Sequence, residues 1–210
     1  MLGLSLSPQH LEQFDRYYRE LTAWNEQFNL TAITRYEDVQ VRHFLDSLSC
    51  LLAFPQGSAQ GHIPDTIPLQ RESHSLWCLD VGSGAGFPGL PLKIMLPGAR
   101  MTLIEATGKK ASFLEQMVLG LELQDVQVLH SRAEDVAHLP QHREVYDVVL
   151  ARAVANLSVL AEYCLPYCRL GGRMIAPKGE DAHLEAEAAR YALRLLGGEL
   201  VAVKQVELPG

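Results

Sequence analysis

The sequence predicts an α/β protein in which a doubly wound, mostly parallel sheet follows an N-terminal helical extension. From residue 76 onward, short apolar segments alternate with helix-length segments, which is the pattern of repeated βαβ units. A glycine-rich loop at residues 82–89 follows the first apolar segment, at the position where such sheets bind nucleotide ligands. Before residue 55, apolar residues recur at three- and four-residue steps, which indicates amphipathic helices.

Two helices are predicted in the N-terminal extension, residues 1–54. Ser7 followed by Pro8 is typical of a helix start. The apolar stripe of this first helix comprises Leu11, Phe14, Tyr18, Leu21, Trp24 and Phe28. Thr34 and Glu37 predict a capping box that opens the second helix. The core-facing residues of the second helix are then Phe44, Leu45, Leu48 and Leu52. Because neither helix can bury its stripe alone, both should pack on the domain that follows.

Residues 55–75 are rich in Pro, Gly, Ser and Gln, and this composition predicts a linker. The α/β domain then occupies residues 76–210. Its strands are predicted at 76–81, 101–105, 125–130, 146–151, 172–176 and 199–206. Its helices are predicted at 89–96, 108–121, 153–169 and 181–197. A ligand should bind outside the carboxyl ends of the strands.

The composition is that of an ordinary globular protein, with 48% hydrophobic and 20% charged residues. No apolar stretch is long enough to span a membrane, and the N-terminus lacks the features of a signal peptide. Cys164 and Cys168 are spaced to share a helix face, but Cys50, Cys78 and these two contain no C-x-x-C pair. We therefore expect no metal site and a reduced, cytoplasmic protein. Because the net charge is −7, any RNA contact needs a local basic patch.

The loop that follows the first strand is the most informative segment. Gly82, Gly84 and Gly86 allow its backbone to turn tightly and to approach a ligand. The glycine spacing satisfies the dinucleotide fingerprint, but Asp80 at the strand end would repel a pyrophosphate. A carboxylate there suits the cationic amino group and sulfonium of S-adenosylmethionine. The loop therefore predicts S-adenosylmethionine rather than NAD, and a tight turn without a ligand is the alternative.

Three further strand ends carry candidate site residues. Glu105 ends the second strand, where a carboxylate can accept both ribose hydroxyls or act as a helix N-terminal acid. After the third strand, the segment from Ser131 to Glu134 offers backbone amides and a side chain to an adenine edge. Arg152 follows the fourth strand, where its guanidinium would point at the cleft with five donors. An arginine paired at a helix start would give the same pattern.

Several motifs together resemble a known family. They are Asn29-Leu-Thr, Arg42-His43-Phe-Leu-Asp46-Ser47-Leu48, the segment 80–89, Lys109-Lys110 with Phe113-Leu114, Arg132-Ala-Glu134, Ala151-Arg152-Ala153 and Lys178-Gly179. In this order they resemble the bacterial small-subunit ribosomal RNA guanine-N7 methyltransferase G family, also called glucose-inhibited division protein B. The resemblance covers residues 7–206, and its most specific part is the segment 80–89.

The resemblance implies a Rossmann-like S-adenosylmethionine-dependent methyltransferase fold and methylation of N7 of a guanine in 16S ribosomal RNA. The substrate is then 16S ribosomal RNA or the assembling small ribosomal subunit. The cofactor positions of the family map onto Gly82, Phe87, Ala133, Glu134 and Arg152. Two departures stand out. Lys109-Lys110 replaces a Lys-Arg pair, and no residues remain after 199–206 for the last strand of the family's sheet.

The chemistry implied by the resemblance needs no catalytic acid or base. Guanine N7 carries an in-plane lone pair at neutral pH, so catalysis would consist of holding it in line with the methyl group and sulfur. The chain has neither an Asn/Asp-Pro-Pro-aromatic motif after the fourth strand nor a Pro-Cys nucleophile. Arg152 is then a binder of the cofactor or of guanine O6.

For RNA binding, we expect a basic rim around the cleft. Its members are Arg42, His43, Lys109, Lys110, Arg132 and Lys178. Two alternative functions remain open. An NAD(P)-dependent oxidoreductase would use the same loop, although the chain lacks a recognisable Tyr-x-x-x-Lys pair. A non-catalytic RNA-binding or assembly protein would keep the pocket as a relic. We expect the protein to be a monomer.

Overall fold

The computed structural model describes residues 3–54 and 75–209. Within these residues, five parallel strands form one sheet in the order β3-β2-β1-β4-β5. The strands are β1 (Trp77–Val81), β2 (Arg100–Glu105), β3 (Val126–His130), β4 (Tyr146–Leu150) and β5 (Cys168–Ile175). The predicted doubly wound parallel sheet is therefore confirmed. The predicted linker lies outside the described residues except for Ser75.

The order of the strands reverses between β1 and β4. Asp80 of β1 pairs with Leu103 of β2 on one side and with Leu150 of β4 on the other. Chain connections leave these two strands toward opposite faces of the sheet, which opens a crevice at their carboxyl ends. The loop after β1 and the segment after β4 therefore meet at the edge where ligands bind in such sheets.

Helices cover both faces of the sheet. They are α1 (Pro8–Phe28), α2 (Tyr36–Val39), α3 (Asp46–Ser49), α4 (Gly89–Met95), α5 (Gly108–Gly120), α6 (Ala133–Ala137), α7 (Leu157–Cys164) and α8 (Ala182–Leu195). Alternation along β1 places Cys78 in a core with α1, α4 and α5, and it places Leu79 and Val81 in a second core with α6 and α7. The central strands are thus buried on both faces, as parallel strands require.

The helical extension shares its core with the sheet. Phe14, Tyr17 and Leu21 are the buried residues of α1, and they belong to the same apolar cluster as Leu90 and Leu103. Leu11, predicted to be in the stripe, is 55% exposed. The difference arises because the buried face follows Phe14, Tyr17 and Leu21, at steps of three and four residues.

The second helical region differs from its prediction at its start. Arg35 is the N-cap of α2, and no side chain of the described residues caps it, so the predicted Thr34–Glu37 capping box is wrong. A π-helical segment (Gln40–Leu45) joins α2 to α3, and a 3-10 turn (Cys50–Ala53) follows. Phe44 and Leu48 are buried as predicted, Leu45 is half-buried and Leu52 is exposed.

Three predictions for the last third of the chain are wrong. The predicted helix 153–169 ends at Cys164, and β5 begins at Cys168, because Pro166 cannot continue an α-helix. Cys164 and Cys168 therefore do not share a helix face, and all four cysteines are free. The structure describes all of residues 199–206, and they do not form the predicted strand. Instead, the Lys204 ammonium donates to the Leu52 carbonyl.

Candidate functional site

The loop after β1 turns back toward β2 at the carboxyl edge of the sheet. Gly82, Gly84 and Gly86 have φ values of 69°, 58° and 94°, in the left-handed region that favours glycine. The N–H groups of Gly82 and Ser83 donate to the Ile104 carbonyl at 2.9 and 3.0 Å. These bonds fix the start of the loop against β2.

The glycines of this loop serve two different purposes. A Cβ at Gly86 would lie 2.5 Å from Leu90 Cδ1, and one at Gly89 would lie 2.6 Å from Leu103 Cδ2. These two positions are closed by the protein's own packing. A Cβ at Gly84 would have its nearest described neighbour, Gly82 O, at 3.9 Å. Gly84 therefore faces the open space in which a ligand can approach the backbone.

Asp80 lies beneath the loop and is fully buried. Its Oδ2 accepts a hydrogen bond from the Gly89 N–H at 2.9 Å. Its Oδ1 is the one buried side-chain nitrogen or oxygen of the described residues without a hydrogen-bond partner. Burial raises the pKa of Asp80 to about 7, against the opposing effects of the Gly89 hydrogen bond and Arg152. An unpaired buried acceptor is costly, so Asp80 fits a ligand that brings a cationic donor.

Glu105 at the end of β2 is buried and supports the loop. Its Oε2 accepts from the Gly84 N–H and its Oε1 from the Thr107 N–H, both at 2.8 Å. Each carboxylate oxygen keeps a second lone pair. The predicted contact with ribose hydroxyls is compatible with these bonds and stays a prediction. The geometry adds that Glu105 also sets the position of the ligand-facing glycine.

Arg152, after β4, is bound by the N-terminal extension. Its Nη1 donates to Asp46 Oδ2 at 2.6 Å and to the Arg42 carbonyl at 3.1 Å, and its Nη2 approaches His43 Nδ1 at 3.2 Å. Its guanidinium carbon lies 5.2 Å from the centre of the Phe87 ring. Arg152 therefore joins the segment after β4 to both the extension and the loop after β1.

His43 is a neutral, internal member of this network. Burial, and then the neighbouring Arg152 charge, lower the pKa of His43 to about 4. Because arginine can only donate, His43 Nδ1 is the acceptor. Its Nε2 then carries the hydrogen and donates to Thr31 Oγ1 at 2.8 Å. The His43 ring stacks on Phe87 at 4.3 Å between centroids, so motifs distant in sequence form one contiguous cluster.

The remaining predicted cofactor residues lie after β3. Arg132 is the N-cap of α6, and Ala133 and Glu134 form its first turn. Glu134 is exposed, and the Ala133 carbonyl accepts from the Tyr167 hydroxyl at 2.5 Å. Because β3 is parallel to β2, this turn lies at the same sheet edge as Glu105, whose register partner is His130.

The predicted basic rim divides into two groups. Arg42, Lys109 and Arg132 are exposed and Lys110 is half-buried. The Lys109 ammonium lies 5.3 Å from the centre of the Phe28 ring. By contrast, His43 is buried. The Lys178 ammonium donates to the Ala155 carbonyl at 2.7 Å and pairs with Glu185 at 2.8 Å.

Two residues at the site have no place in the sequence-based prediction. The Tyr17 hydroxyl donates to the Ala85 carbonyl at 2.5 Å, and its ring stacks on Phe87 at 5.3 Å. Tyr17 lies three residues after Phe14, so the helical period could have indicated it. Val154 lies against Gly82, where an added Cβ would be 2.8 Å from Val154 Cγ2. No sequence pattern indicates that contact.

Two further classes of site find no support in the described ranges. Residues 3–54 and 75–209 contain no group of three or more His, Cys, Asp or Glu side chains that could hold a metal ion. In the same part of the chain, no helix has both the length and the apolar character that crossing a membrane requires.

Comparisons with known proteins agree with one another. A family model described as rRNA small subunit methyltransferase G matches residues 10–209. A protein named ribosomal RNA small subunit methyltransferase G from Roseiflexus sp. is 52% identical over 208 residues, 99% of this chain and 82% of its own length. Proteins of the same name from Dehalococcoides mccartyi and Bacillus cytotoxicus are 47% and 44% identical over 209 and 207 residues. Those matches cover 100% and 99% of this chain and 82% and 80% of the relatives.

Solved structures show the same fold at low sequence identity. The M. jannaschii TYW2 structure, in complex with AdoMet, matches with a TM-score of 0.51 and 16% identity, over 60% of this chain and 57% of its own. A putative transferase from Pyrococcus horikoshii also matches with a TM-score of 0.51 and 16% identity, over 61% of this chain and 49% of its own. The parallel sheet with its flanking helices is thus a Rossmann-like methyltransferase fold.

Proposed function

The chain belongs to the rRNA small subunit methyltransferase G family and is an rRNA methyltransferase, and we propose that it transfers a methyl group from S-adenosylmethionine to N7 of a guanine in 16S ribosomal RNA. The observation that carries the cofactor part of this proposal is the unpaired Asp80 Oδ1 beneath a glycine loop at the point where the strand order reverses. The family assignment carries the RNA part.

The residues of the crevice fit S-adenosylmethionine by their chemistry. Asp80 would satisfy its missing hydrogen bond with the cationic end of the cofactor. Glu105 would accept the ribose hydroxyls with its second lone pairs. The open face of Gly84 would allow the cofactor to approach the backbone. The cofactor positions taken from the family, Gly82, Phe87, Ala133, Glu134 and Arg152, border the same edge of the sheet.

Bound S-adenosylmethionine supplies an electrophilic methyl group. The new bond forms between that carbon and guanine N7, and the carbon–sulfur bond breaks with its electron pair left on sulfur. Guanine N7 needs no deprotonation, so the chain needs no general base. Both His43 nitrogens are already bonded, to Arg152 and Thr31, which supports a positioning role for this cluster. Arg152 then orients the cofactor or the guanine through its fixed guanidinium.

The RNA surface is proposed to surround this crevice. Lys109, Lys110 and Arg132 follow the carboxyl ends of β2 and β3, and these three with Arg42 would supply the positive charge of this surface. His43 and Lys178, predicted in the same role, make internal contacts. Because the chain carries a net charge of −7, phosphate binding depends on these positioned cations. RNA affinity should therefore fall with salt by roughly 0.7–0.9 log units per log salt for each neutralised phosphate.

The test is a product map. The protein is incubated with methyl-labelled S-adenosylmethionine and either naked 16S ribosomal RNA or small subunits that lack the modification. We expect label in one guanine and strand scission at that base after borohydride and aniline treatment. Label at an aniline-resistant base would overturn N7 as the acceptor. Absence of label with both substrates, from protein that binds the cofactor, would favour a non-catalytic assembly protein.

A further inference from the structure

Residues 151–156 connect β4 to α7 and are called the strap below. They lie across the loop after β1, which is called the cofactor loop. The Val154 side chain occupies the space beside Gly82, where an added Cβ would lie 2.8 Å from Val154 Cγ2, and Ala153 adopts a left-handed φ of 55°. A non-glycine residue in this region costs about 1–2 kcal/mol. The surrounding contacts must therefore hold the strap in place. Arg152, bound to Asp46, supplies these contacts at the N-terminal end of the strap.

A second set of contacts holds the C-terminal end of the strap. The Lys178 ammonium donates to the Ala155 carbonyl at 2.7 Å and pairs with Glu185 Oε2 at 2.8 Å. The same Glu185 oxygen accepts from the Leu157 N–H at 2.9 Å. Leu157 is the first residue of α7, so its N–H has no acceptor within the helix. Lys178 and Glu185 thus join the strap, α7 and α8.

This ion pair differs from an ordinary surface pair. The side chains of Lys178 and Glu185 are 13% and 31% exposed. On the same helix, Glu187 and Arg190 pair at 2.7 Å with exposures of 64% and 55%. Exposed pairs of that kind contribute little because water and salt screen them. The Lys178–Glu185 pair is partly withdrawn from water and is bonded to backbone groups of the strap and α7. Loss of the pair therefore also removes the hydrogen bonds to the Ala155 carbonyl and the Leu157 N–H.

We propose that Lys178 and Glu185 are positioning residues that hold the strap against the cofactor loop, so that they set cofactor affinity and the alignment of the methyl acceptor without touching either ligand. The proposal rests on the proposed function for its methyl-transfer part. Lys178 then acts through Ala155 rather than as an RNA contact. Misplacement of reacting groups by about 1 Å can cost about 10²-fold in rate, so a loosened strap is sufficient to lower activity.

The experiment is a double-mutant cycle in the full chain. The variants are Lys178→Gln, Glu185→Gln, both together, the conservative Lys178→Arg, and Glu187→Gln as the matched control on α8. Each is assayed for S-adenosylhomocysteine affinity by calorimetry, for hydrogen exchange at the Leu157 amide, and for single-turnover methylation. We expect each single Gln variant to lose about tenfold in cofactor affinity, and the double variant to lose no more than the worse single. Faster exchange at Leu157 should accompany these losses.

Two comparisons separate positioning from direct RNA binding. Lys178→Arg should recover most of the cofactor affinity, and Glu187→Gln should match the wild type. The salt dependence of RNA affinity should be equal in Lys178→Gln and wild type. A salt slope reduced by roughly 0.7–0.9 in Lys178→Gln, with Glu185→Gln behaving as wild type, would overturn the proposal. The proposal would also be overturned if the loss of cofactor affinity in the double variant equalled the product of the two single losses.

Global unfolding and a failed product map have distinct signatures. Circular dichroism of each variant identifies loss of fold. If a Gln variant does not fold, cofactor affinity and hydrogen exchange are measured on Lys178→Arg, which keeps the charge. If the product map shows no N7 methylation, the proposed function fails. The cofactor-affinity and exchange cycle still tests the strap, because neither measurement depends on the product. Wild-type affinity and exchange in both Gln variants would reject the positioning role.

Discussion

The loop after β1 and the strap after β4 meet over the same crevice, but different forces hold them. The loop is packed into the core: Phe87 is buried against Tyr17, and Gly86 has no room for a side chain. The strap is half exposed and is held by Arg152 at one end and Lys178 at the other. Packing resists any change in volume, whereas charged hydrogen bonds depend on the geometry of donor and acceptor. We call the wall held by packing the rigid wall and the wall held by charged hydrogen bonds the adjustable wall.

The largest effect should come from filling the packed wall. In Gly86→Ala, the new Cβ meets Leu90 and Tyr17 and must adopt a φ of 94°. We expect a loss of about 2–5 kcal/mol in unfolding free energy, from overpacking and from the left-handed backbone together. Urea denaturation measures it. The matched control is Gly197→Ala, with a φ of 76° and open space around it, which should lose only about 1 kcal/mol. Equal losses in the two variants would show that the loop is not packed as described.

The adjustable wall should respond to geometry more than to charge. Arg152→Lys keeps the positive charge, but a single ammonium nitrogen replaces the planar fork whose two nitrogens bond to Asp46, His43 and the Arg42 carbonyl. We expect the single-turnover rate to fall by about 10²-fold through misalignment, with the unfolding free energy changed by much less than in Gly86→Ala. The loss should be the same at all pH values near neutrality, since no proton transfer is involved.

Asp46→Asn provides the companion measurement for Arg152. This variant keeps the side-chain shape and removes the charge that the guanidinium meets. Its rate should fall in the same direction, and its combination with Arg152→Lys should be less than multiplicative. Full activity and full cofactor affinity in Arg152→Lys would make Arg152 a purely structural residue.

The smallest expected effect is a pH dependence at the junction of the two walls. Asp80 has a raised pKa of about 7, and the charges that act on it are Arg152 and Glu105. A cationic ligand favours the ionised carboxylate, so binding should release a proton. Cofactor affinity should then fall by up to about tenfold per pH unit below pH 7 and level off above it. Calorimetry in buffers of different ionisation enthalpy measures the proton release.

In the cofactor-free protein, the pH dependence that Asp80 gives to folding stability is opposite in sign to the pH dependence of cofactor affinity. Because the folded state raises the pKa of Asp80 above its ordinary value of 3.8, the carboxyl favours folding when protonated. That contribution is complete below about pH 4 and is lost as the pH rises through 7. Asp80→Asn should remove the pH dependence of both cofactor affinity and folding stability that Asp80 causes. The titration of the ligand itself contributes equally to the variant and the wild type, so it does not affect the comparison. An unchanged pH profile in Asp80→Asn would assign the proton to another group.

The sequence predicted the rigid wall better than the adjustable one. β1, the glycine loop and the following helix are local features, and the apolar run from Leu76 with its glycines indicated them directly. The contacts of the strap join residues far apart in the chain, such as Asp46 with Arg152 and Ala155 with Lys178. No spacing rule connects such pairs, because their proximity results from the sheet order. The predicted basic rim therefore included Lys178, because the sequence shows its charge but does not show its hydrogen-bond partner.

The wrong sixth strand has a related physical cause. Residues 199–206 contain the apolar run Leu200-Val201-Ala202-Val203, and a short run of this kind is typical of a strand. The pattern does not supply the neighbouring backbone that would pair with it. In the described structure, Lys204 of this segment bonds to the Leu52 carbonyl instead. Tyr17 shows the converse, since its helical position was readable but its hydroxyl contact with Ala85 depends on tertiary packing.

The shared core of the helical extension and the sheet also orders the events of synthesis. Tyr17 bonds to a carbonyl 68 residues later, and Asp46 pairs with an arginine 106 residues later. At about 5–20 residues per second, Asp46 waits roughly 5–20 s for its partner to be translated. Until β2, α4 and α5 have been translated, the apolar stripe of α1 lacks the core that covers it, which exposes the nascent chain to chaperones and to aggregation. The extension is therefore completed only by contacts with residues translated well after it.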